Sequence, residues 1–383
     1  MKLSLIQWNK VPLIEVLEYE QPTPYIVTTE IKKSGKTPVL TPGKSFIKGY
    51  TDEKEGIFTN IPVIIFDDFT TATKFVNFDF KVKSSAMKIL KEKSSDINLK
   101  YVFYQMQTID INTSSHKRYY LSKYQHLPFV FPYLDGKISK EVQQQIVDEI
   151  EKQLTRLDDS INTFKDIKKK LGIYGKSVLK AAFEGKLIKL TGDIISTTLA
   201  EEFEIIMGQS PESSHYNTNK EGLPFFQGKK EFTKLYAKVQ QWSRKVTKIA
   251  EKDDVLLSVR APIGPVNLAP CKCGVGRGLA AIKPNEKTNS KLIYYLLKIH
   301  ETELGKRGTG TTFRAITKPK LYGLPIKIPD KKEDRDILFK EIESRFSVIE
   351  KLEETIENSL NKSEQLRKSI LKAAFEGKLI KGE

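Results

Sequence analysis

The chain contains nearly the same 14 residues twice. KSVLKAAFEGKLIK occupies residues 176–189 and KSILKAAFEGKLIK occupies residues 368–381, and the two runs differ only at Val178 and Ile370. The offset from Lys176 to Lys368 is 192 residues, far longer than the roughly 20–50 residues of a solenoid or propeller repeat. The repeat therefore predicts that a whole domain has been duplicated within the 383 residues.

Each copy closes a long helical pattern, and no proline lies between Tyr133 and Ser210. Apolar residues recur at helical spacing in the helix that each copy ends: Ile150, Leu154, Leu157, Ile161, Phe164 and Leu171 in the first, and Ile342, Phe346, Ile349, Leu352, Ile356, Leu366 and Ile370 in the second. This heptad-like spacing, which Lys168 interrupts, predicts two long antiparallel helices packed as a coiled coil. Gly185 and Gly377 predict left-handed C-caps, after which Leu187-Ile188 and Leu379-Ile380 fold back.

The segments before the two helices also correspond. PVIIFDDFTTATKF, from Pro62, aligns with DDVLLSVRAPIGPV, from Asp253, and SSHKRYYLSKYQHLP, from Ser114, aligns with TTFRAITKPKLYGLP, from Thr311. Short β-like runs alternate there with helical patches and Gly, Pro, Ser and Asn turns, which is typical of an α+β module. We therefore predict module 1 (1–138), a helix (139–190), module 2 (191–330) and a second helix (331–383), with pseudo-two-fold internal duplication.

The positive charge is concentrated in the two modules. The chain has a formal net charge of +16; residues 191–330 contain 22 Lys and Arg against 14 Asp and Glu, and residues 1–138 contain 19 against 14. This excess favours a polyanionic partner such as nucleic acid. No run of about 18 apolar residues is present, so no membrane span is predicted. With no leader pattern and only two cysteines, we expect a cytoplasmic protein.

Sequence signatures of catalysis are missing. The chain has neither an Asn/Asp-Pro-Pro-aromatic adenine-methyltransferase motif nor a G-x-x-x-x-G-K-[ST] phosphate loop. GVGRG at 274–278 lacks the spacing of a dinucleotide fingerprint. Asp67-Asp68 is interpreted as a turn at a strand end rather than as metal ligands, and Cys271 and Cys273 as unpaired thiols rather than a zinc site. No metal site is predicted.

Together these motifs resemble the specificity subunit of a type I restriction-modification system, over nearly the whole chain. The residues that carry the resemblance are the two KAAFEGKL helix ends, DDVLLSVRAPIG, GTGTTFRAIT followed by LYGLPIKIP, and SSHKRYY followed by HLPFVFP. The resemblance implies an α+β fold with two α/β target-recognition domains separated by two long antiparallel helices that form a coiled coil. Each domain would recognise one half of a bipartite double-stranded DNA site, and the helices would set the spacer.

The same resemblance implies that this chain is not an enzyme and binds no cofactor itself. Two methyltransferase subunits would dock on the helices and transfer methyl groups from S-adenosylmethionine to adenine. Restriction and translocase subunits would join them, so that S-adenosylmethionine, ATP and Mg are expected in partner subunits. Module 1 departs from the family pattern because IPVIIFDDFTTATKF lacks the Gly-rich turn of VRAPIGPV.

Recognition of bases requires polar loop side chains that reach a DNA groove. In module 1 the candidates are Lys44, Lys48, Tyr50, Thr71, Thr73, Lys74, Ser115, Lys117, Arg118 and Tyr119. In module 2 they are Gln209, Ser210, His215, Tyr216, Asn217, Gln227, Lys229, Lys230, Arg244, Lys245, Arg260, Thr311, Thr312 and Arg314. For any single one of these residues, a solvated loop position is an equally good interpretation.

The near-identity of the repeat predicts that both helix ends dock partner subunits. The candidate docking residues are Lys180, Phe183, Glu184 and Lys186 in the first copy, and Lys372, Phe375, Glu376 and Lys378 in the second. The alternative is that these residues only cap the helices.

Two other classes of function remain open from the sequence. One is a stand-alone dimeric DNA-binding regulator without a methyltransferase partner, which co-purification with a methyltransferase would exclude. The other is an enzyme with an unrecognised nuclease or methyltransferase site, which methyl transfer by the isolated chain would reveal.

Overall fold

Residues 6–42, 45–111, 118–309 and 314–380 are described by the computed structural model. The chain divides into two units: unit 1 comprises Met1–Phe164 and Asn358–Glu383, and unit 2 comprises Lys165–Glu357. Each unit therefore contains one block of strands together with segments of two long helices. Lys44, Ser115, Lys117, Thr311 and Thr312, which the sequence nominates for DNA contact, lie outside the described residues.

Strands form most of the block in unit 1. They are β1 (Gln7–Pro12), β2 (Leu17–Glu20), β3 (Thr37–Leu40), β4 (Ile47–Thr51), β5 (Val63–Asp67), β6 (Thr73–Val76), β7 (Lys81–Val82), β8 (Met87–Glu92), β9 (Pro128–Leu134) and β10 (Lys137–Ile138). The helices are α1 (Leu13–Val16), α2 (Leu99–Met106) and α3 (Lys140–Phe183). Asn98 is the N-cap of α2: its side chain accepts a hydrogen bond from the Tyr101 backbone N–H at 3.2 Å.

The strands of unit 1 form three sheets, in the orders β2-β8-β5-β6, β4-β3-β7 and β1-β9-β10. All five residues of β5 are buried. Ile64 and Phe66 face one apolar cluster, whereas Val63 and Ile65 face another. A strand that is covered on both faces needs a continuous apolar run, which explains the sequence VIIF at this position.

Unit 2 contains a second block of strands and helices. Its strands are β11 (Ile194–Thr198), β12 (Ile205–Met207), β13 (Tyr216–Asn217), β14 (Leu223–Phe226), β15 (Trp242–Ser243), β16 (Ile249–Ala250), β17 (Val255–Ser258), β18 (Val266–Leu268), β19 (Cys273–Val275), β20 (Leu279–Ile282) and β21 (Pro325–Pro329). Its helices are α4 (Leu199–Glu202), α5 (Ser290–Arg307), α6 (Lys318–Tyr322) and α7 (Lys332–Phe375). Both α3 and α7 have 44 residues and continue from one unit into the other.

The sheets of unit 2 repeat those of unit 1. The order β12-β20-β17-β18 matches β2-β8-β5-β6, and β11-β21 matches β1-β9. In addition, β14 pairs antiparallel with β15 and parallel with β19, as β3 pairs with β4 and β7. Two blocks with one topology confirm the predicted internal duplication.

The long helices bury their apolar stripes against each other within each unit. In unit 2, Lys168 of α3 pairs with Glu357 of α7, and farther along α3 a Cβ at Gly175 would contact Phe346. Later residues of α3 therefore contact earlier residues of α7, so the two helices are antiparallel. In unit 1, Ile150 of α3 and Ile370 of α7 share one core. These contacts confirm the predicted coiled coil.

The stripe predicted on α7 is wrong at two positions. Leu352 and Leu366 are 46% and 51% exposed. Ile349 and Ile356 are buried as predicted, and the same seven-residue spacing continues at Ser363, which is also buried. The Ser363 hydroxyl donates to the Ser359 carbonyl at 2.8 Å. Leu352 and Leu366 each lie three residues after one of these positions, at the edge of the stripe, where about half of each side chain stays exposed. Hydrophobicity alone predicts leucines at positions of α7 where the structure buries a serine.

Both helices end as the repeat predicts. Gly185 and Gly377 have φ values of +72° and +71°. The N–H of Lys186 donates to the carbonyl of Ala181 at 2.8 Å, and the N–H of Lys378 donates to that of Ala373 at 2.9 Å, which is the Schellman pattern. Leu187 and Ile188 then pack on the core of unit 2, and Leu379 and Ile380 pack on that of unit 1.

Candidate nucleic-acid interface and docking surface

A concave, basic cleft lies in unit 2 between three loops. Its volume is about 210 Å³, and its lining consists of Gln227, Gly228, Lys229, Ser258, Arg260, Ala261, Arg277 and Gly278. Four of the sequence candidates meet around it: Gln227, Lys229 and Arg260 line it, and Ser210 accepts a hydrogen bond from the Arg277 N–H at 3.1 Å. Segments that are far apart in sequence therefore converge on one site.

Glycines allow these loops to approach each other. A Cβ at Gly208 would lie 2.1 Å from the carbonyl oxygen of Gly276, and one at Gly278 would lie 2.1 Å from that of Gln227. No other residue fits at either position without moving the backbone. The Gly-rich run GVGRG, which lacks nucleotide-fingerprint spacing, therefore serves close backbone packing beneath the cleft.

Both arginines of the cleft stand on fixed backbone. The Ser258 hydroxyl donates to the carbonyls of Arg260 and Pro262, at 3.1 and 2.9 Å, while the turn at Arg277 is held by Ser210. Both side chains belong to exposed residues. Within the described ranges, neither Arg260 nor Arg277 forms an ion pair, whereas the nearby candidate Arg244 pairs with Glu221 at 2.6 Å.

The other candidates of module 2 have varied roles. Tyr216 stacks on Phe225 with ring centroids 5.2 Å apart, and the Asn217 side chain bonds the backbone of Glu221 in a local turn. Gln209 accepts a hydrogen bond from Thr247 at 3.3 Å. His215 is half-buried, Lys230 and Lys245 are exposed, and Arg314 donates to the Gly305 carbonyl at 3.1 Å.

The candidates of module 1 divide into exposed and buried residues. Lys48, Lys74 and Arg118 are exposed, and Tyr50 and Thr71 are half-buried. Thr73 and Tyr119 are each only 8% exposed. Thr73 accepts a hydrogen bond from Gln107, and Tyr119 packs in the main core of unit 1. We therefore remove these two from the candidate set, because a buried side chain does not reach a DNA groove.

The repeated helix ends present the same charged surface in both copies. Lys186 and Lys180 lie 2.7 and 3.9 Å from Glu184, and Lys378 and Lys372 lie 2.7 and 3.8 Å from Glu376. The four lysine side chains are all more than 70% exposed. The hydrogen bond from Lys186 lowers the pKa of Glu184, and that from Lys378 lowers the pKa of Glu376, so both clusters keep their charges at neutral pH.

Phe183 does not belong to this surface. It is 2% exposed and lies in the core of unit 2, while Phe375 is half-buried and meets Tyr101 edge-on at 5.2 Å. The prediction that Phe183 docks a partner is corrected, because a side chain in the core of unit 2 is not available to a partner. Phe375 stays a prediction, as do the exposed lysines and the glutamates paired with them.

The remaining sequence interpretations concern metals and thiols. Asp67 ends β5 and accepts hydrogen bonds from the N–H groups of Phe69 and Thr70, so the predicted turn is confirmed. Burial raises the pKa of the Cys273 thiol to about 12. Among the described residues, no group of three or more His, Cys, Asp or Glu side chains could hold a metal ion. No described helix is long and apolar enough to cross a membrane.

Arg277 is the residue of the cleft that the sequence argument missed. It lies within GVGRG, whose glycine spacing invites comparison only with nucleotide fingerprints. The signal that could have found it is the charge pattern, since Arg277 is a lone cation between two glycines of a basic module.

Comparison with known proteins decides the family. A family model described as type I restriction modification DNA specificity domain matches residues 195–362. The chain is 31% identical over 366 residues to the type I restriction enzyme EcoR124I/EcoR124II specificity subunit of Escherichia coli, and the match covers 90% of this chain and 87% of that protein. The chain belongs to the type I restriction enzyme specificity subunits. Such a subunit is non-catalytic, and enzymatic activity lies in its partners.

Further relatives agree with this assignment of a specificity subunit. The chain is 36% identical over 245 residues to the putative type I restriction enzyme MjaX specificity subunit of Methanocaldococcus jannaschii, a match that covers 60% of this chain but only 56% of that protein. A solved structure of complex assembly in a type I R-M system covers 97% of this chain at 26% identity, with a TM-score of 0.75. The HsdS subunit from Thermoanaerobacter tengcongensis also covers 97%, at 26% identity and a TM-score of 0.57.

Proposed function

We propose that this specificity subunit recognises a bipartite double-stranded DNA target, with one half-site bound by each module. The observation that carries the proposal is the repetition of one sheet topology in two modules whose loops differ in sequence. One fold used twice with different loop residues suits two half-sites of different sequence, because loops provide base contacts while the sheets keep their positions. The excess of basic residues in both modules supports a DNA partner.

Two methyltransferase subunits are the proposed protein partners, joined by restriction and translocase subunits. Two equal helix ends, each with a Lys-Glu-Lys cluster of matching geometry, provide one docking surface per methyltransferase. S-adenosylmethionine, ATP and Mg would be bound by these partners and not by this chain. The four predicted segments, 1–138, 139–190, 191–330 and 331–383, remain our proposed division into recognition and spacer regions.

Co-expression with methyltransferase subunits tests this function. The host should acquire N-methylated adenines in a single motif made of two half-sites, and no methylation should appear when this chain is omitted. The chain alone, incubated with DNA and S-adenosylmethionine, should transfer no methyl group. Sequence-specific DNA binding by an isolated dimer that does not recruit a methyltransferase would favour a regulator instead.

The docking surface has its own test. Reversing the charges of the exposed lysines, as Lys180→Glu with Lys186→Glu, should leave one methyltransferase bound where the wild-type chain binds two. The matched change at Lys372 and Lys378 should remove the other. The subunit ratio follows from native mass spectrometry, and a ratio of two in both variants would refute docking at the helix ends.

A further inference from the structure

The cleft of unit 2 contains more positive charge than its protein surroundings balance. Arg260, Arg277 and Lys229 line a volume of about 210 Å³, and in the part of the chain that the structure describes no carboxylate forms an ion pair with any of them. Like charges at short range repel each other. A basic cleft of this kind is therefore completed by a ligand that is rich in hydrogen-bond acceptors.

Arg277 is the best-positioned of the three cations for recognition. The backbone N–H of Arg277 donates a hydrogen bond to the Ser210 hydroxyl. A Cβ at either neighbour, Gly276 or Gly278, would meet the backbone of Phe226 or Gln227 within 3.0 Å. The base of the Arg277 side chain is therefore fixed on both sides, so little backbone freedom is lost when the guanidinium binds.

The chemistry of the site favours a base edge over a phosphate. A guanidinium presents a planar fork of donors, which fits the O6 and N7 acceptors of guanine in the major groove. Gln227, beside Arg277 in the cleft, adds an amide that donates to Gln241 at 3.2 Å. The cleft therefore places a planar fork of donors beside an amide that has both a donor and an acceptor, which suits the mixed donor and acceptor pattern of base edges.

Module 1 lacks the two arginines at the matching positions. Asp67 lies opposite Met87 in unit 1 as Ser258 lies opposite Leu279 in unit 2. Phe69 follows Asp67 by two residues, as Arg260 follows Ser258, so Phe69 takes the position of Arg260. Ser84 or Ser85, just before Met87, takes the position of Arg277. Of these two pairs of matching loops, only the pair in module 2 carries arginines, so the two proposed half-sites would be contacted by different side chains.

We propose that Arg277 recognises a guanine in the half-site bound by unit 2, through the O6 and N7 atoms of its major-groove edge. The inference rests on the proposed function and specifies a base for one half of the target. Arg260 and Lys229 contribute the positive field that holds the DNA at the cleft. The guanidinium is a specificity-determining group and takes no part in methyl transfer.

The test uses the full chain in complex with its methyltransferase subunits and a random duplex library. Bound duplexes are sequenced for the wild type, Arg277→Ala, Arg277→Lys and the control Arg345→Ala, which removes an arginine of unit 2 that lies outside the candidate set and is paired with Glu341. Arg277→Ala should lose the preference for one guanine in one half-site and leave the other half-site unchanged. Arg345→Ala should retain both half-sites.

A chemical probe then locates the contact. The selected duplex is prepared with 7-deazaguanine at that position, which replaces N7 by a carbon and removes one acceptor. The wild-type complex should bind this duplex roughly 5- to 150-fold more weakly than the natural one, and Arg277→Ala should bind the two duplexes equally.

The possible outcomes distinguish failure of this inference from failure of the proposed function. If the wild-type complex selects no sequence, the proposed function fails. If it selects two half-sites but Arg277→Ala retains every guanine, or weakens all duplexes equally as loss of a phosphate contact would, the guanine inference is overturned and the proposed function stands. Fluorescence of Trp242, in β15 of unit 2, checks that each variant unfolds at the wild-type urea concentration.

Discussion

Replacement of the buried Arg335 by methionine should destabilise unit 2 by about 3 kcal/mol. Arg335 is 1% exposed. Its guanidinium donates to the carbonyl of Pro329 at 2.6 Å and to the hydroxyl of Thr288 at 2.6 Å, and it pairs with Glu202. These contacts connect the first turn of α7 to β21 and α4. Methionine fills a similar volume but leaves the Glu202 carboxylate without its cation.

The magnitude follows from the burial of both partners. Removing one partner of a buried ion pair costs about 3–5 kcal/mol, because the remaining charge stays desolvated. The Glu202 side chain is 14% exposed, so water reaches it in part and the lower end of this range applies. Combining Arg335→Met with Glu202→Gln removes the orphaned charge and should recover at least about 1 kcal/mol.

Urea unfolding measures the effect in unit 2 separately, because the chain has two tryptophans, Trp8 in unit 1 and Trp242 in unit 2. In a Trp8→Phe background the fluorescence of Trp242 reports unit 2, and in a Trp242→Phe background Trp8 reports unit 1. The control Lys332→Met, at an exposed residue of the same turn, should change the free energy of unfolding by less than about 0.5 kcal/mol. An equally small change for Arg335→Met would refute the reasoning.

Three further predictions use the same assay. Gly278→Ala should destabilise unit 2 by about 1–3 kcal/mol, because the added Cβ would lie 2.1 Å from the Gln227 carbonyl oxygen. The control Gly228→Ala should be neutral, because no atom lies within 4 Å of the added Cβ. Equal effects of the two substitutions would contradict the packing argument. Phe183→Ala should cost about 3–5 kcal/mol and Phe375→Ala less, since only Phe183 is fully buried. The pKa of Asp334 is lowered by several interactions, the largest being the hydrogen bond from the Thr191 backbone N–H. The Asp334 carboxylate therefore stabilises the folded state above about pH 4, the pKa of an unfolded aspartate. This stabilisation is lost as the pH falls through the folded pKa. The free energies of wild type and Asp334→Asn should therefore converge as the pH falls below about 4, and a constant difference would show that the carboxylate charge contributes nothing.

The repeated segments could be predicted from sequence because their physics is local. The spacing of Ile150, Leu154 and Leu157 requires a helix with one buried stripe, and Gly185 is required where the backbone turns left-handed. The same local logic failed at Leu352 and Leu366, since the identity of a buried position depends on the partner helix and not on hydrophobicity alone. A serine at position 363 is as well buried as a leucine once its hydroxyl has a backbone acceptor.

The cleft could be predicted only in part, because it depends on contacts between distant segments. Arg260 and Gln227 were found as polar residues on loops, but nothing local indicates that the turn at Arg277 meets them. The burial of Thr73, Tyr119 and Phe183 could not be predicted from the sequence either. Their residue types also occur at surfaces, and only the packing of neighbouring elements buries these three side chains. Pairing of Arg244 with Glu221 is likewise a tertiary fact.

The central claim, that two modules recognise two half-sites at a separation set by α3 and α7, is tested most directly by lengthening both helices together. Inserting one heptad into each adds about 10 Å of helix and preserves the buried stripe. Methylated adenines are then sequenced from cells that express the variant with its methyltransferase. The account predicts unchanged half-sites separated by a longer spacer, and an unchanged spacer, or altered half-sites, would contradict it.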